Sequence, residues 1–250
     1  MLNLKATLKD LKEKFLNELY PYDITCIGCN AELKATDYYG LCGKCTKKIK
    51  LIDNEVKRCL KCGKPIYDEA RYCIACQNIR RYFDAVYSFM VYDGVAKTLM
   101  ERFKFQGRKY LAYYFGKMLA VIYYGASLDA DILVPVPSTD KVRGYNQSEL
   151  LSDYLSKFTG IPKGNHLRKI KETPKQMSLG GKERQENLKD AFEADGIVDG
   201  KRILLIDDIV TTGATMSECA RTLLKAKAQS VTGLSVCNVE YYLYKEQAND

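Results

Sequence analysis

Residues Lys201 to Ala220, KRILLIDDIVTTGATMSECA, constrain this chain more than any other stretch. Ile203, Leu204, Leu205 and Ile206 form an unbroken apolar run, the pattern of a strand buried on both faces of a sheet. Asp207 and Asp208 follow where that strand is expected to end. Thr211, Thr212, Gly213, Ala214 and Thr215 then make a turn of small and hydroxylic residues, which opens a helix through Met216, Cys219, Leu223 and Leu224. Such a turn offers backbone N–H groups, hydroxyls and the positive end of a helix dipole to a phosphate. The carboxylates only accept hydrogen bonds, and vicinal ribose hydroxyls supply a matching pair of donors. The bland alternative is an ordinary buried strand with two acids at its end. The strand–turn–helix context weighs against it.

The run from Ile203 to Thr215 resembles the phosphoribosyl-pyrophosphate (PRPP) signature of type I phosphoribosyltransferases: four apolar residues, two acids, then a TTGxT-like loop. The resemblance implies an α/β fold, a type I phosphoribosyltransferase-like parallel sheet flanked by helices.

At 250 residues the chain has room for one sizeable α/β domain and a small module. No apolar run approaches the length of a membrane-spanning helix, and no membrane insertion is expected. The N-terminus has no apolar stretch ending in a small-residue cleavage site, which makes the cytoplasm the expected compartment. In that setting eight of the ten cysteines, arranged as four CxxC pairs, point to metal rather than disulfides. The formal charge is +8. Two zinc ions on four thiolates each make every site −2 and bring the chain to about +4. A mildly basic protein is compatible with polyanions without establishing one.

Leu4, Leu8, Leu11, Phe15 and Leu19 recur at helical spacing and predict an amphipathic N-terminal helix. Its polar face is mixed in sign, so packing on the protein itself is the reading. The cysteine module follows at about 24–78, with Cys26/Cys29, Cys42/Cys45, Cys59/Cys62 and Cys73/Cys76. A knuckle gives two adjacent corners of a tetrahedron and a second knuckle completes it, which predicts two structural Zn2+ sites. Asn30, Gly43 and Gly63 directly follow a cysteine and suit tight backbone beside the sulfurs. Short loops favour pairing consecutive knuckles, while an interleaved cross-brace would use the same residues. With every coordination position filled, the metal replaces a core too small to form alone. Lys44, Lys47, Lys48, Lys50, Lys57, Arg58, Lys61 and Lys64 cluster around the module's middle, a pattern that a solvated surface also gives.

After residue 79 the character changes, which sets the expected domains at 1–79 and 80–250. Phe83 to Tyr92 reads as a strand, Gly94 to Phe105 and about Tyr110 to Tyr124 as helices. Lys104 and Arg108 can help hold a phosphorylated ligand, solvated surface being the default for such residues. The tyrosines at 110, 113, 114, 123 and 124 read as packing residues rather than a base-stacking array. Asp131 to Pro137 is a short strand ending in prolines, followed by a polar loop and a helix from Ser148 to Thr159. In that loop Arg143 supplies a forked cation, Gly144 allows close backbone approach, and Asn146 and Gln147 carry amide donors, a set that suits diphosphate. Leu167 to Ile170 reads as a strand. Glu172 to Lys189 is long and polar with two adjacent glycines, a candidate closing loop whose Lys175, Gln176, Lys182 and Arg184, with Arg168 just before it, can cover a diphosphate. His166, the single histidine, reads as a strand-end residue and is left out of the site.

Taken whole, the chain resembles the ComF family of competence-associated proteins. The residues that carry this are the four CxxC pairs, Val134 to Pro137, Arg143-Gly144-Tyr145-Asn146-Gln147, Thr173-Pro174-x-Gln176, Arg184-x-x-Asn187 and Ile206 to Thr215. Tyr145 stands where the family typically has phenylalanine, and Ile209 where it often has valine. The resemblance implies a zinc-binding N-terminal segment joined to a phosphoribosyltransferase domain. It also implies a role in natural transformation, with single-stranded DNA and a companion helicase as partners.

On this reading PRPP places its 5′-phosphate on Thr211–Thr215 and its ribose hydroxyls on Asp207 and Asp208. Mg2+ bridges diphosphate and ribose oxygens, largely through water. Arg143, Gly144, Asn146 and Gln147 hold the diphosphate, and Gln176 and Arg184 close over it. No stretch identifies an acceptor nucleophile. The alternative is a non-catalytic PRPP-sensing adaptor that binds single-stranded DNA or the helicase.

Overall fold

The computed structural model describes residues 22–52, 57–66, 69–138, 144–171 and 188–239. The expected helix over residues 4–19 lies outside this range, as do Arg143, Gln176 and Arg184. The chain forms two compact units, Met1–Lys48 and Ile49–Asp250. The second cysteine group thus belongs to the larger unit.

The described part of the smaller unit is built from two knuckles. Asn30 (φ 63°) and Gly40 (φ 69°) take left-handed backbone at the turns, and Cys26 N–H donates to Ala31 O at 2.7 Å. Helix α1, Gly43–Thr46, opens at Cys42. Gly43 therefore begins a helical turn, with its N–H on Asp37 Oδ1 at 3.0 Å. The Ile27 N–H to Gly40 O bond, 2.9 Å, ties the knuckles together. Cys26, Ile27, Leu41 and Cys45 are buried, and this handful of side chains is too small a core to fold unaided.

The larger unit opens with the second cysteine group and helix α2, Ile74–Asn78. Then come β1 Val86–Val91, α3 Gly94–Phe105, α4 Leu111–Gly125, β2 Ile132–Pro135, α5 Gln147–Thr159, β3 Leu167–Lys169 and β4 Phe192–Ala194. After a 3-10 turn at Gly196–Val198 the unit closes with β5 Arg202–Val210, α6 Ala214–Lys225 and β6 Ser230–Asn238. Four strands make one parallel sheet in the order β1-β6-β5-β2, and β3 pairs antiparallel with β4. The apolar run at 203–206 is β5's central stretch, covered on both faces. Ile203 and Leu205 share a core with Met216, Cys219, Ala220 and Leu223 of α6. By the two-residue period Leu204 and Ile206 point the other way, toward the layer of α4 and α5. Full burial of each is worth about 1.5–3 kcal/mol. Tyr113 on α4 packs on Tyr154 and Phe158 of α5, with ring centroids 5.8 Å apart in each case. The outer edge of β1 is covered by residues 50–52, through Ile52 N–H to Phe89 O and Val91 N–H to Lys50 O, each 2.9 Å. Such cover removes an unpaired edge.

One expected boundary moves. The sequence pattern puts the acids after the end of the strand, but β5 continues through them to Val210. The cause is β6, whose ladder pairs Asp207 with Ser235 and Val210 with Asn238. On its other side β5 loses its neighbour early. Pro135 pairs with Ile206, Val136 N–H reaches Ile206 O at 2.9 Å, and Pro137 has no N–H to continue. Among the described residues Asp207 and Asp208 therefore stand on a strand paired on one side only, at the carboxyl end of a parallel sheet. Open α/β sheets bind their ligands in such crevices.

Candidate functional site

Successive residues of β5 send the two carboxylates to opposite faces. Asp208 is buried, and Lys104 from the last turn of α3 places its ammonium 3.0 Å from Asp208 Oδ1. Asp207 is partly exposed; its Oδ1 accepts from Ser148 Oγ at 3.1 Å and from the N–H of Asp208 at 2.9 Å. Shielding from water, followed by the Asp208 charge, pushes the Asp207 carboxyl up to about 7, against the pull of Lys104 and those two donors. The sequence named both acids. It offered Lys104 only as a cation with surface as its default, and gave no signal for Ser148, which lies fifty-nine positions from Asp207.

Thr211, Thr212 and Gly213 form the turn, and Gly213 at φ 73° supplies the left-handed residue that starts α6. Gly213 has no side chain to cap that helix end, and Thr212 Oγ1 accepts from Ala214 N–H at 3.3 Å. Ala214 and Thr215 already belong to the helix. The loop comes directly after the acids, so a helix N-terminus and two acceptors serve one crevice. Such a pairing can take a phosphate at the helix end beside a group that donates hydrogen bonds to the acids.

The loop before α5 is described from Gly144, which is left-handed at φ 66°. Asn146 caps α5: its Oδ1 accepts from Ser148 N–H at 3.1 Å and its Nδ2 donates to Val136 O at 3.0 Å. Its amide is thus engaged in joining β2 to α5. Gln147 is buried, and its Nε2 has no partner among the described residues. The cap brings Ser148 to Asp207, which links the two halves of the crevice. His166 pairs with Asp195 at 2.9 Å, and Arg168 with Glu193.

Among the described residues two cysteine groups can hold a metal: Cys26, Cys29, Cys42 and Cys45, and Cys59, Cys62, Cys73 and Cys76. Consecutive knuckles pair, and the cross-brace is not formed. Within each group the sulfurs lie within 4.8 Å of one another, and the Cys29–Cys42 and Cys62–Cys73 sulfurs are 3.6 Å apart. A tetrahedral site with zinc–sulfur bonds of about 2.3 Å spaces its sulfurs by roughly 3.8 Å, so both groups fit zinc. Cys42 N–H donates to Cys26 Sγ at 3.3 Å. Burial pushes the Cys26 thiol up, but donation from Cys42, Cys29 and Gly28 outweighs it and brings the group down to about 7. The second group is locked to the sheet. Val86 N–H donates to Lys61 O at 2.8 Å, Asn238 Nδ2 to Cys62 O at 2.9 Å, and Gly63 is left-handed at φ 71°. For Mg2+, Asp207 offers hard oxygen donors, while Asp208 is already paired with Lys104. Asp207, the more exposed, is the one open to a water-mediated cation.

Comparison with known proteins finds both kinds of domain in this chain. Residues 15–77 match the double zinc ribbon domain and residues 149–249 the phosphoribosyl transferase domain. Competence protein F of Haemophilus influenzae is 30% identical over 226 residues, covering 84% of this chain and 95% of that one. Competence protein ComFC of Bacillus subtilis is 30% identical over 78% of this chain and 83% of that one. DNA utilization protein YhgH of Escherichia coli K12 is 27% identical over 85% and 96%. Similarity to solved structures is looser: adenine phosphoribosyltransferase from Saccharomyces cerevisiae aligns over 61% of this chain and 80% of its own, at 15% identity and a TM-score of 0.36. No helix among the described residues is long and apolar enough to cross a membrane.

Proposed function

This chain belongs to the ComF family of competence proteins, and we propose that it binds the ribose 5-phosphate half of PRPP and serves DNA uptake in natural competence. The observation that supports this best is the juxtaposition of Asp207 and Asp208 with the Gly213-capped helix at the open carboxyl end of the sheet. The 5-phosphate would lie on the N–H groups and hydroxyls of Thr211–Thr215, and the ribose hydroxyls would donate to the acids. Arg143, Gly144, Gln176 and Arg184 would hold the diphosphate, as the family resemblance implies. Bound magnesium would neutralise diphosphate charge. The protein's own contribution is positioning and electrostatic stabilisation. Single-stranded DNA and a competence helicase are the partners this role implies.

Diphosphate release tests catalysis, with PRPP and Mg2+ offered to a panel of bases, amines and nucleic acids. Asp207→Asn with Asp208→Asn should abolish it. One observation favours a second reading, the non-catalytic PRPP-sensing adaptor. Asp208 is already neutralised by Lys104, and a site that balances its own charge can hold a ligand without driving transfer. PRPP binding by titration calorimetry that raises DNA affinity, with no diphosphate released, would decide for the adaptor. A flat calorimetric trace would remove both.

A further inference from the structure

The residues between the second cysteine group and β1 reach the phosphate loop. Arg81 Nη2 donates to the carbonyl oxygen of Thr212 at 2.8 Å. The N–H of Tyr82 donates to Ser217 Oγ, in the first turn of α6, at 3.2 Å. The buried ring of Phe83 lies 3.8 Å from where a Cβ on Gly213 would stand. Three consecutive residues thus hold the loop, its glycine and the helix start from one side.

The orientation of one peptide gives this contact its meaning. In a trans peptide the carbonyl and the following N–H point in opposite directions, and the described residues contain no cis bond. With the Thr212 carbonyl turned to Arg81, the N–H of Gly213 points away from Arg81. Loss of that anchor would free the 212–213 peptide to rotate, and a carbonyl turned toward a phosphate repels it.

The bracing segment is itself held from behind. Cys76 stands five residues before Arg81, and beyond Arg81 the chain is fixed by Asp84 N–H to Val231 O and Val86 N–H to Lys61 O, each 2.8 Å. Asn238 Nδ2 on Cys62 O fastens the same knuckle to the end of β6. Cys59 and Cys62 share a core with Phe83, Val86 and Met216. The first cysteine group lies in the other compact unit.

We propose that Arg81 is a positioning residue for the phosphate loop, and that the second four-cysteine site rather than the first sets the loop's posture. This rests on the reading that the loop takes a 5-phosphate. The test uses the full chain with ribose 5-phosphate as probe, alongside hydrogen exchange of the free protein. Arg81→Ala should weaken ribose 5-phosphate about tenfold, the order expected for losing one charge-assisted hydrogen bond. Exchange at Gly213–Met216 should accelerate while exchange in β5 and β6 stays unchanged. Arg81→Lys should recover part of both effects, since an ammonium can still donate to Thr212. Cys26→Ser with Cys29→Ser should lower the zinc content and leave the affinity as it was. Equal affinity in wild type and Arg81→Ala, or an equal loss in the Cys26/Cys29 variant, would overturn the inference. If the wild type itself does not bind ribose 5-phosphate, the phosphate reading fails. The exchange comparison then decides on Arg81 alone, and unchanged rates at Gly213–Met216 would sink it.

Discussion

The ammonium of Lys104 lies 3.0 Å from Asp208 Oδ1, with only about a fifth of the lysine side chain and a tenth of the aspartate side chain left to solvent. The pair joins the end of α3 to the end of β5. Breaking it from one side leaves a shielded carboxylate with no counter-charge. We expect Lys104→Met to lose about 2–3 kcal/mol in urea denaturation at neutral pH. Adding Asp208→Asn should restore most of that, and a double variant no more stable than Lys104→Met would show that the ammonium does not act through Asp208.

Asp207 makes the protein sensitive to pH. Its folded value is raised from 3.8 to about 7, first by burial and then by Asp208. An acid raised on folding binds its proton more tightly in the folded state. Stability should therefore fall as pH rises from about 4 to about 7, and level off above. Affinity for a ribose diol should climb over the same range, because the ionised carboxylate is the acceptor. Asp207→Asn should flatten both profiles and, at pH 8, stabilise the ligand-free protein by an amount on the order of 1–3 kcal/mol. A second ionisation of the ligand phosphate near pH 6 remains in both proteins and cancels in the comparison. A melting temperature at pH 8 that drops in the variant would contradict this.

Two glycines with left-handed backbone should respond unequally to alanine. At Gly63 (φ 71°) a Cβ would stand 2.2 Å from the carbonyl oxygen of Val86, while at Gly107 (φ 65°) it would meet nothing within 4 Å. Gly107→Ala carries only the conformational penalty, about 1 kcal/mol. Gly63→Ala must also push the zinc knuckle off β1 and should lose at least roughly 2–3 kcal/mol. Comparable melting temperatures for the two variants would mean that the knuckle is not seated on the sheet.

Zinc content should be about two ions per chain by elemental analysis of protein purified without chelator. Removing the second ion should lower the melting temperature of the larger unit, because Cys59 and Cys62 belong to its core. Cys26→Ser with Cys29→Ser should leave that transition in place. One ion in the wild type, or an unshifted transition after both are removed, would contradict the expectation.

Much of the site was legible because its signals are local. The apolar run that becomes β5, the acids, the glycine that opens α6 and the CxxC knuckles each depend on residues a few positions apart, and short-range geometry fixes what they can form. Asn30 and Gly63 take the left-handed backbone their place after a cysteine suggested. The end of β5 was misplaced for a non-local reason, since β6 continues pairing past Asp207 while β2 has stopped.

By itself the sequence determined strands β1, β2, β3 and β5, helices α3 to α6 and four cysteine knuckles of metal-binding spacing. Tertiary structure alone decided which knuckles share a metal, that Lys104 neutralises Asp208, that Ser148 reaches Asp207, and that Arg81 holds Thr212 across a separation of 131 residues. Periodicity and turn chemistry specify how a segment folds, but not which segments become neighbours. That choice follows from the packing of whole sheet and helix faces, and Lys104, Ser148 and Arg81 make their contacts where those faces meet.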